Sequence, residues 1–542
     1  MRTMSAKWLL ASTILTTALL FSAAASAQTK ISVFAPQQTG FDMNTNETTL
    51  GLEKMFNIDL QFETTTVDAA AAAEKRQISL ASGSYPDVFM LIPWVDQFSR
   101  AELIKFGGQG VILPLDDLIE KYAPNLNAFF VKHPEYRALA TAPDGKIWGL
   151  PQWNDCFHCS YASKLWINTD WLNKLGLTMP KTTEDMKNVL TAFKTKDPNG
   201  NGKADEIPLT SSKADVLIPY FMNAFTYDPR ATDSQQNSLV LDGSKVAFGP
   251  AQDGWRKGLQ YMASLFKDGL VDSGAFTQNR DAVKALGDNA DAPIVGAATM
   301  LHPAILNTPD QADGRDQKYD PVPPLTGPDG TSYASFNLTS SPGATFVITN
   351  KATPEVQVAA IKMLDYFFTE GGAITTFFGP EGGEWKKPAE GDLALDPKVN
   401  PLYVQIPRDP NKPIPNLGWF ALAQYAFDTD FRGAQVQPMD IHKMTGYERR
   451  LFEATVLYQG HEPKDKVFPY WLIWVPADQS EEVAQLQTNL TSYVTQSEAE
   501  FATGQRDIND DAAWADYLAN LESLGLPRYL ELYQAAYDAV KK

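Results

Sequence analysis

Apolar and polar residues are arranged in short blocks whose period switches between two and about 3.6 along the chain. Residues 31–35 alternate and predict a strand, 46–56 a short helix and 58–64 a second strand. Residues 69–81 are strong helix formers, with Gly83 placed as a C-terminal cap. Pro86 breaks the chain, and residues 87–91 read as a buried strand. This β-α-β-α-β alternation predicts an α/β lobe built on a mainly parallel sheet. Further on, 111–119 reads as a strand end running into a helix, 142–151 as a turn within a hairpin, 165–168 as a strand and 169–175 as a helix ended by Gly176. Thr182 and Asp185 form a capping pair for a helix whose Met186, Val189, Leu190 and Phe193 share one face. Trp255, Leu259, Met262, Leu265 and Phe266 repeat that spacing. Residues 292–299 and 344–349 predict strands, 354–368 a helix, and the tail from Trp514 a helical pattern broken at Gly525. Residues 320–328 are Pro-rich and read as an extended crossover, and 381–415 as an ordered loop system.

A chain of 542 residues suggests several domains or one large two-lobed body. Arg2 and Lys7 precede an apolar run over residues 8–21, and Ala25-Ser26-Ala27 follows. This pattern predicts a secretory signal peptide over residues 1–27, cleaved after Ala27. The run is short for a membrane span, and no later segment reaches about 18 apolar residues. No cysteine follows the small residues, so a periplasmic protein without a lipid anchor is expected. The formal charge is −19, and loss of Arg2 and Lys7 leaves −21. Such a field argues against nucleic acid or an anionic membrane as partner, while a local pocket can still oppose it. The two cysteines lie together in Cys156-Phe157-His158-Cys159. They supply half a zinc site at most. A local disulfide is favoured in an oxidising compartment, with a free pair as the alternative.

Oxygen-bearing side chains recur at every second position at the start of residues 197–206. Asp197, Asn199, Asn201 and Asp205 are spaced as positions 1, 3, 5 and 9 of the EF-hand calcium loop, with Gly202 at 6 and the backbone carbonyl of Lys203 at 7. Position 12, a bidentate Glu in the EF-hand, is Pro208 here, and Glu206 is read as its substitute. With no His, Cys or nucleophile in the loop, the expected ion is a structural Ca2+.

Several segments together resemble the extracellular solute-binding proteins of ABC sugar transporters. These are Leu80-Ala81-Ser82-Gly83 with Pro86-Asp87-Val88, the stretch Ala142-Pro143-Asp144-Gly145-Lys146 running to Pro151, and Asp170-Trp171-Leu172 with Leu175-Gly176-Leu177 and Pro180. The loop at 197–206 and the tail from Trp514 to Tyr537 are similar to those of the alginate-oligosaccharide-binding members. The resemblance implies a two-lobed periplasmic-binding-protein fold, type II-like, each lobe a mainly parallel sheet flanked by helices, with the ligand cleft between them. It also implies that the chain crosses between lobes more than once. The expected division is 28–152 in the first lobe, 153–316 in the second, 317–372 back in the first and 373–542 in the second. The implied partners are an oligosaccharide, with a uronate-containing one in view, and the transmembrane subunits of a transporter; a monomer is expected.

The chain holds 12 Trp, 20 Tyr and 29 Phe. A sugar ring packs its C–H face on an aromatic ring, and short polar side chains pair its hydroxyls. On that logic Trp153 and Trp419 are the leading ligand contacts, with Trp94, Trp385 and His302 as further candidates and Gln152, Asn154 and Asp155 as polar partners. The expected role is capture and delivery without chemistry. The alternatives are a secreted glycoside hydrolase, which needs two carboxylates across a glycosidic bond, and a carrier of another solute such as a peptide.

Overall fold

A computed structural model describes residues 28–230, 238–338, 340, 342–406 and 413–540. The expected signal peptide at 1–27 lies outside them. The chain opens with three parallel strands, β1 (Thr29–Pro36), β2 (Ile58–Thr65) and β3 (Val88–Met90). The helices Glu47–Phe56 and Ala69–Ser82 connect them. Their ends are set locally: Asn46 and Asp68 accept the first backbone amides, and Gly83 takes the left-handed conformation at φ 71°.

A second body holds β4 (Leu165–Asn168), β5 (Ile207–Thr210), the hairpin β6 (Leu239–Asp242) and β7 (Lys245–Phe248), then β8 (Val295–Thr299) and β9 (Tyr319–Val322). The chain then returns as β10 (Phe346–Ile348) beside β3. A small third sheet comprises β11 (Trp385–Lys386), β12 (Tyr403–Gln405) and β13 (Gln435–Val436).

The first sheet has the order β10-β3-β1-β2 and the second β5-β8-β4-β9. In each, three strands share a direction and one runs against them: β10 in the first and β4 in the second. Both reversed strands follow a crossing from the other lobe. They enter at the edge where their neighbours leave, and so run the opposite way.

Each lobe has its own core. The first gathers Ile31, Val33, Leu60, Leu126, Phe346, Ile361 and Leu364. The second gathers Ile167, Leu190, Phe193, Trp255, Leu259 and Met262, and the helices Ser480–Thr503, Asp511–Ser523 and Leu526–Val540 pack on it through Leu490, Phe501, Trp514 and Leu532. The helix Asp253–Lys267 buries the expected face, and Thr182 with Asp185 forms the expected capping box at the start of Thr183–Thr195.

The lobe boundaries differ from the expected ones in two places. Tyr319–Val322 belongs to the second lobe, where it pairs with β4 along all four residues. It is an edge strand, and an edge tolerates Pro321 because one side of the ladder needs no donor. The Pro-rich stretch is therefore not the crossover. The return to the first lobe falls between Ala334, in the second core, and Ala344, beside β3. Likewise, the segment through Trp419, Leu422 and Tyr425 does not join the second lobe but packs in the core of the first. Thr48 Oγ1 donates to the Thr375 carbonyl in the helix Glu370–Phe378, and the amides of Glu47 and Thr48 donate to the carbonyls of Asn416 and Leu417.

Candidate functional site

A cavity of about 230 Å³ opens beside the first crossing segment, against Asp155, Phe157 and His158. One wall is aromatic and comes from the first-lobe side: Phe377 lies in the last turn of the helix Glu370–Phe378, Tyr403 opens β12, and Phe427 follows the 413–426 segment. Phe377 and Phe427 stand 4.9 Å apart between ring centres. The facing wall belongs to the second lobe. Phe157 and His158 sit on the one-turn helix Phe157–Ser160, and Glu448 and Phe452 on the helix Tyr447–Val456. Leu451 and Ala454 anchor that second helix against Trp166 and Met300.

Polar groups line the remainder. Arg432 donates to Asn154 Oδ1 at 3.0 Å, and Asn154 Nδ2 donates to Gln424 Oε1 at 3.3 Å. Asp155 accepts from the Thr429 hydroxyl. Gln405 and Gln435 add amides, their side chains 3.3 Å apart. Burial raises the Asp155 carboxyl, against the pull of Thr429, His133 and Arg432. Burial also raises Glu448, opposed by Arg432. His158 is driven well below its ordinary range by burial and by the charges of Arg432, Lys164 and His302, so its ring is neutral. A second, wider groove of about 820 Å³ adjoins the cavity, sharing Gln405 and Glu448, and carries Leu393, Val436, Met439 and Tyr447.

The structure redistributes the eight candidate ligand residues. Trp153, 1% exposed, is a core residue of the first lobe, beside the rings of His133 and Tyr136 at 5.5 and 5.3 Å. Trp419, 4% exposed, is likewise core: its indole N–H donates to Thr49 Oγ1 at 2.9 Å and its ring meets Phe62 and Phe367 edge-on. Trp385 is buried and donates to the Gly379 carbonyl at 2.8 Å. Their loops pass under the lobe surface, and an indole buries too much apolar area to be left in water where a core is within reach. Gln152 is buried and donates to the Ala421 carbonyl. His302 is buried against Tyr447 at 4.2 Å, its Nδ1 accepts from the Ala304 amide at 3.0 Å, and burial with the Arg450 charge lowers it to about 3. It caps the short helix Pro303–Ile305. Asp155 does line the cavity and Asn154 positions Arg432. Trp94 is 62% exposed just past the carboxyl end of β3, apart from the cavity lining. The sequence reading missed Phe377, Tyr403, Arg432 and Glu448, which carry no local signature.

Cys156 and Cys159 are joined in a disulfide, so the favoured of the two sequence alternatives is the one present. Lys164, buried beneath it, donates to the carbonyls of His158 and Tyr161 and fixes the end of the turn that presents Phe157 and His158.

The loop at 197–206 folds around its own acidic groups. Asp197 accepts from the amides of Gly200, Asn201 and Gly202, and the side-chain amides of Asn199 and Asn201 turn onto Asp205. Gly200 and Gly202 both adopt φ 75°, which the tight turns require. Glu206 Oε1 is buried with no hydrogen-bond partner. Burial raises Glu206, and the charges of Asp197 and Asp205 raise it further. A carboxylate with an orphaned oxygen, within reach of the charges of two aspartates, fits a hard divalent cation.

Behind the cavity, Asp428 accepts from Lys132 Nζ at 2.6 Å and faces His133 Nε2 at 3.0 Å. Burial works against charge on both His133 and Asp428, yet their mutual contact wins. His133 is raised, and Asp428, also held by Lys132 and the Phe431 amide, is lowered to about 2. A raised histidine stabilises the fold fully below about pH 6.5 and loses that contribution as pH climbs through its folded value. The lowered aspartate stabilises above about pH 4 and loses its contribution only as pH falls toward 2. His133→Gln is therefore expected to destabilise at pH 5.5 and to converge on the wild-type melting temperature by pH 8.5. A constant gap across that range would refute the assignment.

A two-lobed α/β protein with a polar, aromatic-walled cavity between its lobes is the architecture of a ligand-binding protein. A profile of the bacterial extracellular solute-binding protein family matches residues 41–374, and the chain belongs to that family, whose members bind solutes and are not enzymes. It is 28% identical over 479 residues to the fructooligosaccharide ABC transporter substrate-binding protein FusA of Streptococcus pneumoniae, spanning 86% of this chain and 82% of that one. The structure of a FusA EF-hand mutant in complex with fructo-nystose superposes with a TM-score of 0.66 at 25% identity, covering 94% of this chain and 99% of FusA. The calcium-free structure of the alginate-binding protein AlgQ2 gives 0.60 at 22% identity, covering 95% and 98%, and shares the fold. Among the described residues no helix is long and apolar enough to cross a membrane.

Proposed function

We propose that this chain is the periplasmic binding subunit of an ABC transporter, capturing an oligosaccharide between its lobes and presenting it, chemically unaltered, to the membrane-spanning subunits. The observation that carries this reading is the cavity itself. Phe377, Tyr403, Phe427 and Phe452 offer ring faces for sugar C–H groups, and Asp155, Gln405, Gln424, Arg432 and Glu448 offer donors and acceptors for hydroxyls. The inner cavity suits one sugar ring, and the adjoining groove gives the rest of a chain a path outward. The FusA likeness makes fructo-oligosaccharides the first ligands to test. Uronate-containing glycans come second, since Arg432 could pair with a carboxylate while Asp155 and Glu448 beside it oppose one.

Calorimetric titration with short fructans, uronate oligomers and peptides, paired with solution scattering, tests the proposal. Binding of a glycan with a smaller radius of gyration, as the lobes close, and recovery of the glycan intact are expected. No heat with any glycan, preferential binding of peptides, or shorter sugar products would overturn it. The leader pattern at 1–27 supports export, and the chain is read as a monomer.

We further propose that Asp197, Asn199, Asn201, the Lys203 carbonyl, Asp205 and Glu206 hold a structural Ca2+. When bound, the ion would neutralise the three carboxylates and tie the end of the helix Thr183–Thr195 to β5. At a free concentration of 100 times Kd it adds about 2.7 kcal/mol. A chelator should lower the melting temperature by several degrees, and Glu206→Gln should shrink that difference. Superimposable melting curves with and without chelator would remove the claim.

A further inference from the structure

The turn that brings Phe157 and His158 to the cavity is closed by a disulfide, and its side chains are arranged for more than a cross-link. Among the described residues, Cys156, His158 and Cys159 form a cluster whose sulfur and ring-nitrogen atoms lie within 4.8 Å of one another. A cation bonded to sulfur at about 2.3 Å and to imidazole nitrogen at about 2.0 Å keeps its ligand atoms within roughly that span. His158 turns Nε2 toward Cys156 Sγ at 3.4 Å and Nδ1 toward Glu448 Oε2, also at 3.4 Å. That is the posture of a metal-bound histidine: one nitrogen for the ion, the other N–H given to a carboxylate that fixes tautomer and ring orientation. The backbone of the turn is held independently of the sulfurs, by Lys164 on the carbonyls of His158 and Tyr161. Its Cα atoms at 156 and 159 are 5.1 Å apart, which leaves both sulfurs on one side of the turn.

We propose that, once a dithiol has reduced the Cys156–Cys159 disulfide, this turn becomes a site for one soft divalent cation such as zinc. Its ligands are the two sulfurs and His158 Nε2, with Glu448 supporting the ring and a fourth position open to the cavity. In the reduction the S–S bond takes up two electrons and two protons, and the dithiol becomes its own disulfide. Cation binding then releases the two thiol protons to solvent. Two thiolates and an imidazole favour zinc over calcium or magnesium, which take oxygen, so the site is chemically distinct from the loop at 197–206. The oxidised chain offers no thiolate and does not hold the ion. The site would couple the redox state of the surroundings to the wall that carries Phe157 and His158.

Cobalt(II) is the probe, added to full-length mature protein in saturating calcium. Reduced protein should bind one cobalt per chain with a sulfur-to-cobalt charge-transfer band in the near ultraviolet, and zinc should bleach it. Oxidised protein and the double variant Cys156→Ser, Cys159→Ser should show no such band. Glu448→Gln should keep the band and weaken affinity about 10- to 100-fold; an unchanged affinity would remove Glu448 from the site. If the double variant does not fold, protection of the two wild-type thiols from alkylation by zinc answers the same question. No charge-transfer band in the reduced wild type, or alkylation at an unchanged rate in zinc, overturns the proposal.

Discussion

Replacing Arg230 by methionine is expected to destabilise the protein by about 3–5 kcal/mol, the range for breaking a buried ion pair by removing one partner. The guanidinium donates to both oxygens of Asp228 and to both oxygens of Glu498, at 2.7–3.2 Å. All three side chains are nearly sealed from solvent. The cation also stacks over Trp255 at 4.8 Å. Methionine fills similar volume but strands two carboxylates in a low-dielectric core. The network ties the segment before residue 231 to the helix Ser480–Thr503, far along the chain, so its loss should loosen the tail from the second lobe. Glu498→Gln keeps a hydrogen-bond acceptor and should cost much less. Urea unfolding checks both; a loss below about 1 kcal/mol for Arg230→Met would contradict the account.

Arg432→Ala is expected to weaken glycan binding tenfold or more while leaving the melting temperature within a few degrees of the wild type. Hydrogen bonds to a charged group contribute about 1.5–3 kcal/mol, and each 1.4 kcal/mol is a factor of ten in Kd. Arg432 sits where the two lobes meet the cavity, half-buried, with Asn154 as its hydrogen-bond partner and the carboxylates of Asp155 and Glu448 close enough to feel its charge. It is thus preorganised by its neighbours and still free to donate to a ligand. Its removal also raises Glu448 and Asp155 further, because the charge that opposed their burial is gone. Titration of the variant with the best wild-type glycan decides the matter; an unchanged Kd would take Arg432 out of the site.

Elements were legible in the sequence where local physics decides them. The pattern of Met186, Val189, Leu190 and Phe193, the Thr182–Asp185 cap and Gly176 each specify a helix face or end within a few residues. Lobe membership was not legible, because it depends on partners far away: nothing inside residues 319–322 says that Tyr319 faces Asn168. The cavity was the least legible. Its walls come from Asp155 to His158, from Phe377 and Phe378, from Tyr403, and from Gln424 to Phe452. None of these carries a spacing rule. Asp155 could be found because it borders the first crossing. Trp153 and Trp419 misled because indoles in irregular segments look like contacts, whereas here those segments run through the core.

The reversed strand of the first sheet bears on the timing of folding. β3 completes its pairing only when Phe346–Ile348 has been synthesised, and the second core closes only with the helix Leu526–Val540 at the very end. Contacts so distant along the chain form slowly. The first lobe therefore waits on the second: its sheet is finished only after the chain has travelled out through the neighbouring body and back.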